Sequence, residues 1–167
     1  VYAAEVPDGV AAITAGIDTQ DGRFEIEVVG WGRNEESWSI AYDVIEGDLE
    51  TDEPWKRLDA YLKQVWRRAD GRGITLMAAC MDSGGHHTQK VYEFAKERLG
   101  RRIWAIKGAS ARGGKRSPVL PTKKLTSRCI TQFRLAFMHV TAAKDFIRSR
   151  LPIYPPISGT VSVVFLH

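Results

Sequence analysis

The run Met77-Ala78-Ala79-Cys80-Met81-Asp82-Ser83-Gly84-Gly85 constrains this chain most. An apolar stretch ends in a carboxylate, then turns through a serine and two glycines into a polar helix. A buried strand that hands an aspartate to a glycine-rich turn places that carboxylate at the strand's carboxyl end, where parallel sheets build their sites. A second such place lies upstream, where Ala12-Ile13-Thr14-Ala15-Gly16-Ile17 runs apolar into Asp18. If the two strands are neighbours, Asp18 and Asp82 lie side by side. Carboxylates a few ångströms apart repel unless a cation lies between them.

The spacing of apolar residues predicts the elements around this pair. Residues 10–19 form a strand. Gln20-Asp21-Gly22-Arg23 is a hairpin signal of type I′, because Asp-Gly accepts positive φ. Residues 24–32 alternate, with Phe24, Ile26 and Val28 on one face and Glu25, Glu27 and Val29 on the other. After a turn at residues 34–36, residues 37–44 alternate again, completing a three-stranded antiparallel meander. An acidic loop follows. Pro54 opens a helix whose inner stripe is Trp55, Leu58, Leu62, Val65 and Trp66, ended by Gly71-Arg72-Gly73. Then come a buried strand at 74–81, a helix at 88–99 capped by Gly100, and a strand at 102–108. A Gly/Ser/basic loop at 109–121, a strand at 130–140, a helix at 141–150 and a last strand at 161–167 complete the pattern.

Strands alternating with helices after a meander demand crossovers and a sheet covered on both faces. The expected fold is therefore α/β and ribonuclease H-like: a mixed sheet with an antiparallel three-stranded meander and helices on both faces. In that order the first strand lies beside the fourth, which brings Asp18 to Asp82. The chain reads as a single domain over residues 1–167. It does not begin with Met and ends inside a strand, which reads as a piece of something longer.

Such a pair favours hard, oxygen-liganded cations, Mg²⁺ or Mn²⁺. Two ions roughly 4 Å apart would activate a water and stabilise the leaving oxygen of a phosphodiester. A third ligand is either Asp145 or lies outside this chain. The bland alternatives are a strand-end acid at Asp18 and a helix-cap-like residue at Asp82. His86 and His87 follow directly and could contact a phosphate or a metal, or be merely exposed. Asp21 is explained by turn chemistry, and Glu25 and Glu27 face away from the core.

Charge is lopsided. Residues 1–97 hold 19 of the 20 acids and 10 of the 24 bases, whereas residues 98–144 hold 12 bases and no acid. An acid-free basic stretch suits a polyanion or complements the acidic half. Lys107, Arg112, Lys115, Arg116, Lys123, Lys124 and Arg128 are the natural partners of a phosphate backbone, giving affinity and salt dependence with little base preference. There is no Walker A sequence, no apolar run long enough to span a bilayer, and no zinc-ligand spacing around Cys80 or Cys129, which read as reduced thiols.

Several stretches carry a resemblance. Residues 15–32, Glu36-Ser37-Trp38, Trp55-Lys56-Arg57-Leu58-Asp59, Met81-Asp82-Ser83-Gly84-Gly85-His86-His87-Thr88, Val91-Tyr92-Glu93-Phe94 and Ala105-Ile106-Lys107-Gly108 resemble the nuclease domain of tailed-phage terminase large subunits of the lambda GpA type. The resemblance implies a metal-dependent endonuclease that cuts concematemeric duplex DNA during packaging in the host cytoplasm, with Asp18 and Asp82 as its first two acids. It also implies an ATPase motor before Val1, a last acidic ligand after His167, and a small subunit and a portal as partners. Two other readings stand beside it: a non-catalytic DNA-binding or assembly module of the same fold, and an ATP-binding domain of the actin and sugar-kinase type.

Overall fold

The computed structural model describes residues 6–109, 125–126 and 134–139. Strand β1 (Ala12–Thr19) pairs antiparallel with β2 (Arg23–Trp31), which pairs antiparallel with β3 (Ser37–Glu46). The expected meander is present. Helix α1 (Glu53–Tyr61), the short β4 (Val65–Arg67) and β5 (Gly73–Asp82) follow, then helix α2 (Thr88–Glu97) and β6 (Ile103–Ala109). Strand β5 lies parallel to β1, and β6 parallel to β5. Beyond β6, β8 (Arg134–His139) runs parallel and carries β7 (Leu125–Thr126) antiparallel on its outer edge. The sheet order is β3-β2-β1-β5-β6-β8-β7, with β4 paired to β5 off this path.

Strand alternation decides which side chains are buried. Ile13, Ala15 and Ile17 of β1, Phe24, Ile26 and Val28 of β2, Ala79 and Met81 of β5, and Ile103 and Ala105 of β6 form one buried face. Trp55 and Leu58 from α1 and Val91, Phe94 and Ala95 from α2 cover it. Trp55 is the joint between the layers. Its ring meets Phe24 edge-on at 4.8 Å and lies 5.4 Å from Phe94, while its indole N–H donates to the Leu49 carbonyl at 3.0 Å. Both described helices therefore share one face. The helix expected at 141–150, which the two-face expectation needs, lies outside the described residues. The opposite face carries Trp31, Tyr42, Val44 and Trp104, all exposed among the described residues.

Four local expectations are corrected. The helix from Pro54 stops at Tyr61, and Val65-Trp66-Arg67 is a strand paired with residues 73–75. Leu58, Leu62 and Trp66 are buried in either reading, so helical spacing alone could not separate them. The exposed, buried, exposed sequence of Val65, Trp66 and Arg67 is strand periodicity, which a β-branched and an aromatic residue favour. Gly71-Arg72-Gly73 is accordingly a hairpin turn, with Gly71 at φ 82°. The turn at Asp21-Gly22 is not type I′, since positive φ among the described residues is confined to Asn34, Gly47, Gly71 and Arg102. It closes with the Gln20 N–H on the Arg23 carbonyl at 3.0 Å. Gly100 does not cap α2 in a left-handed conformation. It sits in a 3-10 turn, and Arg102 takes the left-handed conformation at φ 58°. Finally, β5 is buried only towards its carboxyl end, with Met77 half exposed at 51%.

One polar cluster locks the two helices together. The Asp59 carboxylate receives Lys63 at 2.5 Å, Arg98 at 2.6 Å and Arg101 at 2.7 Å, and the Arg98 guanidinium lies 3.9 Å from the Phe94 ring centre. Burial pushes the Asp59 carboxyl up, but the hydrogen bonds from Lys63 and Arg98 and the charges of Arg98 and Arg101 outweigh it and hold it at about 2. A depressed carboxyl stabilises the fold above its ordinary value and loses that contribution as pH falls through its folded value. Asp59→Asn is expected to lower stability by about 1–3 kcal/mol at neutral pH. Chemical denaturation from pH 7 down to pH 2 should show the gap between the two proteins closing below pH 4.

Candidate active site

Parallel strands deliver their carboxyl ends to the same edge. The β1–β5 ladder pairs Gly16 with Cys80 and Ile17 with Met81, so Asp18 and Asp82 come abreast at that edge. Each directly follows a buried apolar residue and is itself half-buried. Neither forms an ion pair with a described base. Gln20 donates its side-chain N–H to Asp18 Oδ2 at 3.0 Å, and the Gly84 N–H donates to Asp82 Oδ1 at 3.2 Å.

The Asp82 carboxyl is pushed up, first by burial. The Gly84 amide pulls it down, the Asp18 charge pushes it up, and the Ser83 amide and Lys107 pull it down again, leaving it above the ordinary value. Two of these causes, burial and the neighbouring carboxylate, are what a cation would relieve.

The turn after β5 is fixed from below. Ser83 is fully buried, and both its N–H and its hydroxyl donate to the Ile106 carbonyl, at 2.9 and 2.8 Å. The Thr88 hydroxyl lies 2.8 Å from the Ser83 carbonyl and 2.7 Å from that of Gly85. Gly84 sits close to the acid: a Cβ there would stand 3.1 Å from Asp82 Oδ2, which would have to give by a few tenths of an ångström. At Gly85 it would stand 3.4 Å from the Thr19 carbonyl, so this turn closes against the end of β1.

The two histidines brace the loops and touch neither aspartate. His86 Nδ1 lies 2.9 Å from Asp21 Oδ1 on the exposed hairpin turn. His87 is half-buried; its Nε2 lies 3.2 Å from the Asp21 carbonyl and its Nδ1 3.1 Å from Glu50 Oε1. Lys90 extends the brace to the Leu49 and Glu50 carbonyls at 2.9 and 2.5 Å. Glu25 faces away from the core as expected, and the ladder makes it the cross-strand partner of Asp18. It is already engaged by the Tyr42 hydroxyl at 2.8 Å and by Arg23 at 2.7 Å, which hold its carboxyl below the ordinary value.

Among the described residues, no group of three or more His, Cys, Asp or Glu is placed to hold a metal ion. Asp145 and the bases Arg112, Lys115, Arg116, Lys123, Lys124 and Arg128 lie outside the described residues. Of the bases expected on a phosphate backbone, Lys107 is described, on β6 one residue past the partner of Asp82. Sequence reasoning took Gln20 only as a turn residue and missed its bond to Asp18. The available signal was an amide two residues past a strand-end acid, at the start of a tight turn.

The sequence profile of the family "Terminase large subunit gpA, endonuclease domain" matches residues 1–164. The chain belongs to this family. It is 35% identical over 166 residues to the terminase large subunit of Escherichia phage lambda, and 33% identical over 162 residues to that of Enterobacteria phage P21. Each alignment covers 96% of this chain, but 25% and 24% of the relatives. The chain thus spans about a quarter of the length of the curated relatives it matches. Among solved structures, an exopolyphosphatase from Cytophaga hutchinsonii aligns over 57% of this chain and 34% of its own, with a TM-score of 0.32 and 14% identity. That likeness is too slight to bear on the fold.

Two outcomes follow from the geometry. A raised carboxyl favours the folded state when protonated, so without divalent ions the chain loses stability as pH rises through the Asp82 folded value. Asp82→Asn keeps the acceptor for the Gly84 amide and removes the repulsion. In thermal melts at pH 7 without divalent ions it should raise Tm by a few degrees. Gly84→Ala crowds Asp82 Oδ2, and calorimetric titration should show Mn²⁺ binding weakened roughly 10-fold with the fold retained.

Proposed function

We propose that this domain is a metal-dependent DNA endonuclease of phage genome packaging, hydrolysing phosphodiesters of concatemeric duplex DNA. The observation that carries the reading is the Asp18–Asp82 pair at the joined carboxyl ends of β1 and β5, in a chain of this family. A three-stranded antiparallel meander whose first strand continues into parallel β5 and β6 supports a ribonuclease H-like fold.

The donor set fits a hard divalent cation. Two half-buried carboxylates stand together without a described base, and Asp82 is pushed towards its protonated form first by burial and further by Asp18. Asp18 and Asp82 would hold Mg²⁺ or Mn²⁺, with a further acid from outside the described residues, either Asp145 or one beyond His167. When bound, a pair of such ions would make a water nucleophilic at neutral pH and stabilise the leaving oxygen. The chain's own part is positioning. Gln20 orients the Asp18 carboxylate and the Gly84 amide orients that of Asp82. The buried Ser83 keeps the turn from moving, and His87 ties it to the 20–23 and 47–52 loops. Lys107, Arg112, Lys115, Arg116, Lys123, Lys124 and Arg128 would grip the phosphate backbone. Duplex DNA is the substrate in this reading, the terminase small subunit and the portal are partners, and the host cytoplasm is where it acts.

Supercoiled-plasmid nicking with Mn²⁺ tests this, comparing the chain, its Asp18→Asn variant and a form extended past His167. Asp18→Asn is expected to slow nicking at least about 100-fold. Nicking by the extended form alone would place the remaining ligand beyond His167. DNA binding with no nicking by any form would sink the nuclease reading and leave a binding or assembly module.

A further inference from the structure

We infer that the trough beside the bulge of β5 is a docking site for an acidic segment of a partner protein: one apolar side chain of that segment seats on Met77 and Leu76, and carboxylates flanking it meet Arg102, Arg101 and Lys63. The site stands apart from the acid pair and does not depend on the nuclease reading.

The bulge makes the trough. The β1–β5 ladder pairs Ile13 with Leu76 and Thr14 with Ala78, so Met77 is an extra residue between them. The β4–β5 ladder covers residues 73–75, and the β5–β6 ladder begins at Ala79. Met77 therefore has no partner in any of the three. Before β6 begins, the chain passes through the 3-10 turn at Leu99–Arg101 and the left-handed Arg102. A hollow of about 460 Å³ lies here, lined by Leu76, Met77 and Ile103 together with Lys63, Arg101 and Arg102. A second hollow, of about 320 Å³, shares Lys63, Gly100 and Arg101 with the first, so the two adjoin. Met77 lies roughly 17 Å along β5 from Asp82, at the other end of the strand.

The apolar part of the trough faces water. Met77 is 51% exposed, more than any other large apolar residue described. A methionine adapts to the shape of what covers it, and methionine and arginine are enriched where proteins meet.

Charge selects the occupant. The two hollows hold Lys63, Arg98, Arg101 and Arg102 against Asp59 and Glu97, an excess of bases. Arg102 is exposed and forms no ion pair with a described acid. The Lys63 side chain remains 60% exposed although it reaches Asp59. The chain's own remaining residues do not match this charge: outside the described residues, the acids are Glu5 and Asp145 alone. An apolar residue between carboxylates therefore comes from another protein. Duplex DNA suits the trough less well. It would bring phosphates up to Asp59 and Glu97 and offer no side chain to Met77.

A random peptide library displayed on phage, selected against the chain, tests this. Selected peptides should carry an apolar residue between acids. They should shift the amide resonances of residues 75–79 and 100–103 and leave those of residues 18–20 and 82–84 in place. Met77→Asp and Arg102→Glu should each weaken their binding at least about 10-fold, with Tm close to that of the parent. Met77→Leu, which keeps an apolar surface, should retain binding. Failure to enrich acidic peptides would overturn the inference, as would enriched peptides whose binding ignores both substitutions. Displacement of the peptides by a short DNA duplex would also overturn it, making the trough a phosphate contact. So would self-association of the chain that Arg102→Glu abolishes, since the occupant would then be a second copy. In the free chain a soluble paramagnetic agent should broaden the Met77 methyl resonance. A shielded methyl would show the trough already filled by the chain's own residues and would overturn the inference too.

Discussion

The parallel register of β1 and β5, which brings Asp18 abreast of Asp82, is the constraint on which the site depends, and the hydrophobic core imposes it. Ile17 and Met81 are buried under the helices, and pairing them in the parallel ladder leaves the next residue of each strand abreast. A one-residue slip would turn the apolar set of one strand to the other face. The apolar residues that fold the sheet therefore also fix the separation of the two acids. Burial of the pair does the rest, because a carboxylate that has lost water feels its neighbour more strongly.

The loops around the pair hold a geometry that the charges themselves would push apart. The 83–88 turn is anchored to β6 through Ser83, to the 20–23 hairpin through His86 and His87, and to the 47–52 loop through His87 and Lys90. The last loop is anchored in turn by the Trp55 indole on Leu49. Trp55 also joins β2 to α2, so one aromatic side chain couples core packing to the loop that backs the site. Gly47 takes φ 155° there, and a Cβ would stand 2.6 Å from the Pro54 ring, so the loop enters α1 only with glycine at that place.

The sequence made the sheet and the acid pair legible because both depend on simple periodicity. Alternation in residues 24–32 and the apolar runs ending at Asp18 and Asp82 are local signals, and the meander followed by parallel strands comes from their order. What escaped was decided by tertiary contacts. Val65-Trp66-Arg67 continues a helical spacing on paper, yet it pairs with the start of β5, where a strand satisfies that strand's edge. Asp21-Gly22 permits a type I′ turn without requiring one. The histidines looked like candidate ligands because they follow Asp82 directly, but the turn carries them across to Asp21 and Glu50. Gln20 reaches Asp18 from two residues along the chain, a local signal that the reading of those residues as a turn masked.

The chain contains an internal control for reading Asp82 as functional. Asp59 is also a partly buried acid, and burial pushes its carboxyl up as well. Three bases converge on Asp59 and hold it at about 2, and the result joins α1 to the end of α2. At Asp82 burial is answered only by backbone amides and a lysine at a distance, and a second carboxylate adds to the strain. Among the described residues, bases also stand on Glu25, Glu50 and Asp70, and none pairs with Asp18 or Asp82. A fold that sets three bases on Asp59 and, among the described residues, none on Asp18 or Asp82 supports the proposal of a cation at the second place.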